Sequence, residues 1–141
     1  MQRNASTFRR RGASVLEAAI VLPVLLMLVF GGIEWCLYVY AGHAVHGAAR
    51  EGARVGILPG NGQAEVDAVV AAAMNRAGFD TGQYTLRTYV GATQASPATA
   101  NPGDFVKVTV ELEGSAVGVD LWGAITGDKT VTASAAMRRE G

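Results

Sequence analysis

Three hydrophobic regimes follow one another along the chain. From Ala18 to Ile33, sixteen residues carry no charge and no strongly polar side chain. Ala13 to Ile33 would form roughly 31 Å of helix at about 1.5 Å per residue. That length matches a hydrocarbon core of about 30 Å, so the run reads as a membrane-spanning helix. Pro23 falls inside it, removes one backbone hydrogen bond and favours a kink, which membrane helices tolerate when neighbours re-satisfy the backbone. Gly31 and Gly32 have two readings: a place where another helix backbone comes close, or a flexible point near the end of the span. Glu34 closes the lipid-facing run, and Trp35, Tyr38 and Tyr40 follow as an aromatic belt at the membrane interface.

The helical period continues past the belt. Ala41, Val45, Ala48, Gly52 and Val55 form a narrow seam of small residues with coiled-coil-like spacing, suited to packing on the chain's own head domain or on sister helices. Glu51 and Arg54, three apart, can pair. Gly56, Pro59, Gly60 and Gly62 break the helix; from about Ser14 to Val55 it would be about 63 Å long. Gln63 to Ala77 reads as a second helix with Val66, Val69, Val70, Ala73, Met74 and Ala77 on its apolar face.

Beyond the Asp80-Thr81-Gly82 turn the period becomes two. Tyr84, Leu86, Thr88 and Val90 alternate with Thr85, Arg87 and Tyr89. Phe105 to Glu113 places Val106, Val108, Val110 and Leu112 on one face, and Thr130 to Arg138 places Val131, Ala133, Ala135 and Met137 inward. Gly91 to Gly103 reads as a mobile loop closed by an Asn101-Pro102-Gly103-Asp104 turn. Val117, Val119, Leu121, Trp122 and Ile125 form a less regular apolar patch, either a covering segment of the core or a turn lying on the membrane surface. The expected fold is α+β: a basic segment at 1–12, a transmembrane and extended amphipathic helix at 13–57, and a small extracytoplasmic domain at 58–141 with one short helix and about three antiparallel strands.

Charge sharpens this picture. The 141 residues have zero formal net charge, but residues 1–12 hold four arginines and no acid, while residues 13–141 hold eight basic and twelve acidic residues, a net of −4. The arginines before the span predict a cytoplasmic amino terminus and a globular part outside. No basic footprint for nucleic acid remains. Cys36 is the single cysteine, so no internal disulfide can form; it reads as a packing residue or as one half of an intermolecular bridge. His43 and His46 sit three apart, but no Cys, Asp or Glu completes a metal set on their face. No Gly-rich phosphate loop follows a strand and no nucleophile has a base nearby, so the sequence predicts neither an enzyme nor a cofactor or small-molecule substrate. A small-x-small cut at Val39-Tyr40-Ala41 would suit a secretory signal, although the apolar region is long for one.

Glu17 is the anomaly. A carboxylate costs on the order of 2.5–3.5 kcal/mol at mid-bilayer and less near the interface. If the chain were cut after Gly12, the new ammonium of Ala13 would lie four residues from Glu17, one helical turn away, and an amine on the same or a neighbouring subunit would offset the acid. Alternatively, Glu17 reaches back to water or to Arg10 and Arg11.

Gly12-Ala13-Ser14-Val15-Leu16-Glu17, set between Arg9-Arg10-Arg11 and an apolar helix, resembles the processing site of type IV prepilins. With Val21-Leu22-Pro23, Gly32-Ile33-Glu34-Trp35, Ala48-Ala49-Arg50-Glu51-Gly52-Ala53-Arg54 and, more weakly, Thr132 to Arg138, the chain resembles the TadE-like pseudopilins of tight-adherence (Flp-type) pilus systems. Ala13 departs from the Phe frequent at that position in prepilins. The resemblance implies cleavage after Gly12 by a prepilin peptidase, a bacterial inner-membrane location, and a minor structural role in building an adhesive pilus. Its partners would be membrane lipid, other pseudopilins or pilins, and the assembly machinery. Two other readings stand beside it: an unprocessed single-pass protein whose outer domain binds a partner, and a binding domain released at Ala41.

Overall fold

The computed structural model describes residues 5–118 and 130–140, with side chains from Ser14 on. Helix α1 runs from Ala5 to Gly56, so it begins before the expected Ser14 and takes in the basic segment. Residues 5–11 contain neither Gly nor Pro, and a helix nucleated in the apolar span can extend back through them at one bond per residue. The chain divides into two compact units, Met1–Cys36 and Leu37–Gly141.

In the second unit, the outer part of α1 is one layer of the core. Ala41, Val45, Ala48, Ala49 and Ala53 are buried there. The seam therefore packs on the chain's own head, resolving the alternative left open by the sequence. The helix ends at Gly56 with the Leu58 N–H donating to the Val55 carbonyl, and the Asn61 side-chain amide donating to that same carbonyl at 3.1 Å.

Helix α2 (Gln63–Arg76) starts where Gly62 supplies no capping side chain. Glu65 substitutes: its carboxylate accepts the Gly62 N–H at 2.8 Å, the reaching-back half of a capping box. That bond, then one from its own amide, holds the Glu65 carboxyl below its ordinary pKa. Val66, Val70 and Met74 are buried, as the helical period predicts, and the chain reverses through Gly78, whose φ of +85° suits glycine.

Strands β1 (Tyr84–Val90), β2 (Thr93–Gln94), β3 (Phe105–Leu112) and β4 (Val131–Arg138) form an antiparallel sheet in the order β2-β1-β3-β4. Tyr84 faces Leu112 across β1 and β3, and Val106 faces Met137 across β3 and β4. Val106, Val108, Val110 and Leu112 are wholly buried against the helical layer, and Arg87 pairs with Glu111 at 3.4 Å on the opposite, solvated face. Burial, with the Asp67 charge nearby, pushes the Tyr84 phenol above its ordinary pKa.

The segment after β1 corrects the expectation of an irregular loop. Gly91 to Gly103 contains β2, which pairs Thr93 with Val90, and a 3₁₀ turn at Pro97–Thr99. Pro97 is fully buried beside Gly56, where a β-carbon would stand in ordinary contact with Pro97 Cγ at 3.5 Å and tighter, at 3.1 Å, against Val106 Cγ1. Val117 is buried. The rest of the expected apolar patch, Val119, Leu121, Trp122 and Ile125, lies outside the described residues.

Candidate functional site

The amino-terminal unit is a helix without an interior. Every side chain from Ser14 to Phe30 is exposed on the isolated chain, Leu28 by 70 % and Ile20 by 65 %. Such a surface is stable only against lipid or other apolar helices, and α1 is long and apolar enough to cross a membrane. Gly12 and Ala13 lie within the helix. Glu17 is exposed among Val15, Leu16 and Ile20, a carboxylate on an otherwise greasy surface. The helix runs through Pro23, whose missing N–H leaves the carbonyl of Ala19 without its usual partner. A β-carbon on Gly31 or Gly32 would meet nothing within 4 Å, so this part of the rod is open to close approach by a second helix.

The three aromatic residues do not share one environment. Trp35 is exposed, whereas Tyr38 is half-buried and packs on the head's core. Tyr40 donates from its hydroxyl to the Ala77 carbonyl at 3.2 Å, and its ring tilts against Phe79 with centroids 6.4 Å apart. Cys36 is exposed and unbridged within the chain. Glu34 is buried at 9 % exposure, which the sequence reading did not anticipate.

On the outer part of α1, His43, His46, Arg50 and Arg54 are exposed. Glu51 does not pair with Arg54 as its spacing allows. It accepts from Arg76 of α2 at 3.0 Å, because α2 packs along that flank and presents a guanidinium held by Arg76 Nε donating to the Ala72 carbonyl. Among the described residues, no group of three or more His, Cys, Asp or Glu side chains is gathered for a metal ion.

The first unit is a long apolar rod with Glu17 near its start, and the second is a small α+β head. No curated protein and no solved structure matched the chain. One family model does match, that of the TadE-like proteins. It covers residues 12–54. The likeness thus begins at the glycine that precedes Ala13 and ends with the seam of α1, so that it is the helix, and not the sheet, in which this chain resembles the TadE-like family.

Proposed function

We propose that the chain is a membrane-anchored pseudopilin. In this reading a prepilin peptidase cleaves it after Gly12, and it serves as a minor structural or priming subunit of an adhesive tight-adherence pilus. The family likeness supports association with such a pilus and its assembly components, and one apolar helix of spanning length among the described residues supports a single-pass membrane protein. The finer reading rests on one observation: Glu17 stands five residues after Gly12, near the start of a run, Ser14 to Phe30, whose side chains are all exposed.

Cleavage creates an ammonium at Ala13, one turn from Glu17. In lipid the two charges offset each other at a distance where an isolated acid costs on the order of kilocalories. The same amine, offered to the Glu17 of a neighbouring subunit, sets the axial register between rods. The arginines of residues 1–12 hold the amino terminus on the cytoplasmic side of the inner membrane until cleavage, and the head lies outside.

Mass spectrometry of membrane fractions from cells with an active prepilin peptidase tests the reading. A mature chain beginning at Ala13 is expected, and a chain retaining residues 1–12 would overturn it. Glu17→Ala is expected to leave insertion intact and abolish assembly.

A further inference from the structure

The head carries two unmatched patches of opposite charge at different levels of α1. The first is basic. His43, His46, Arg50 and Arg54 follow at spacings of three, four and four, one face of a helix, and all are exposed. Glu51, the acid beside them, is taken by Arg76. Among the described residues neither Arg50 nor Arg54 forms an ion pair.

The second patch is acidic. Asp80 and Glu113, both exposed, are held on either side of Gln83. The Gln83 N–H donates to the Asp80 carbonyl at 3.0 Å, and the Glu113 N–H donates to the Gln83 carbonyl at 3.0 Å. The Gln83 side-chain oxygen accepts the Asp80 N–H at 2.8 Å. Among the described residues neither carboxylate is in an ion pair.

These patches cannot meet within one chain. Asp80 follows Phe79, whose ring lies beside Tyr40, so the acidic turn is level with Tyr40 on α1. Arg50 and Arg54 are ten and fourteen residues further along, about 15–21 Å at the helical rise, beyond the reach of an arginine side chain.

We infer that the Arg50–Arg54 face of α1 docks the Asp80–Glu113 end of a second copy of this chain. With the α1 axes parallel, two different surfaces joined in this way make a head-to-tail contact that leaves each new copy with a free patch. Each step displaces the next copy by about 15–21 Å along the rod. A displacement of that size belongs to subunits stacked on one another rather than to two anchors side by side at one depth. The inference therefore deepens the pseudopilin reading and rests on it for its setting.

The test uses the full chain in cells that assemble the pilus, with Cys36→Ser as background. A chain bearing both Arg54→Cys and Asp80→Cys is treated with a short bifunctional thiol reagent. A ladder of dimer, trimer and higher species is expected. Adding Arg50→Glu should reduce the ladder at least tenfold, and adding Glu113→Lys to that variant should restore it. Three results would overturn the contact: absence of a ladder, dimers from Arg54→Cys alone, or cross-links to a different protein. The amino terminus is determined on the same material. A ladder formed by chains that retain Met1 leaves the contact standing and removes the processing reading, whereas no ladder from chains beginning at Ala13 removes the contact alone.

Discussion

Gly52 of α1 faces Val70 of α2 so closely that a β-carbon on the glycine would stand 2.7 Å from Val70 Cγ2 and 3.1 Å from Val108 Cγ1. Three layers meet at this point: the membrane rod's extension, the short helix and the central strand. Both valines are fully buried and stiff at χ1, so neither can turn aside. Gly52→Ala is expected to add overpacking strain of about 1–3 kcal/mol, only partly offset by the better helix propensity of alanine, about 1 kcal/mol. At Gly47, earlier on the same helix, a β-carbon would meet nothing within 4 Å. Gly47→Ala should therefore stabilise the head by up to about 1 kcal/mol. Thermal melts of the two variants in detergent micelles should move in opposite directions; a shift of the same sign in both would refute the assigned contact.

The Glu51–Arg76 bridge is a surface pair, with side chains 48 % and 69 % exposed. Water and salt screen such a contact, and a double-mutant cycle with Glu51→Gln and Arg76→Met should return a coupling of no more than about 1 kcal/mol. The coupling should shrink further in high salt. Coupling between Glu51 and Arg54 should be indistinguishable from zero.

Thr88 is 4 % exposed and its hydroxyl oxygen has no hydrogen-bond partner. A buried hydroxyl left unmatched costs about 1–3 kcal/mol relative to water. Thr88→Val keeps the shape and the branched side chain favoured in a strand, so it should raise stability by on the order of 1 kcal/mol. A loss of that size in the denaturation midpoint would mean that the hydroxyl is used.

The Glu65 carboxylate makes the start of α2 acid-sensitive. Its pKa is lowered in the folded chain by the Gly62 N–H, so its contribution is present above the unfolded-state value and is lost as pH falls through the folded one. Melting temperature followed from about pH 6 down to about pH 3 should fall less steeply for Glu65→Gln than for the parent chain. Parallel curves would show that the cap does not titrate with folding.

The strands were legible in the sequence because alternation is a local property: Val106, Val108, Val110 and Leu112 name their own face. The seam was legible for the same reason, and its burial in the head follows from its small side chains. Pro97 was not legible, since what packs beside it, Gly56 among them, lies far away in sequence. Arg76 as the partner of Glu51 was hidden likewise, because i, i+3 spacing pointed to Arg54 and only the packing of α2 could overrule it. The start of α1 was misplaced because the arginines and the glycine at position 12 suggested a polar tail, whereas the backbone continues the helix through them. The Gly12–Glu17 spacing needs no fold to be seen. The opposed charges of Arg50 and Asp80 needed one, because their separation along the rod is what sends them to different copies.

Half of α1 is also the wall that shuts the head's interior. A fragment starting at Leu58 would lack Ala41, Val45, Ala48, Ala49 and Ala53 and leave Val66, Val70 and Val108 bare to water. Rod and head are consequently not portable modules: transplanting this rod to a foreign head would import a lining shaped for valines that the host does not have, and the donor left behind would be an open shell.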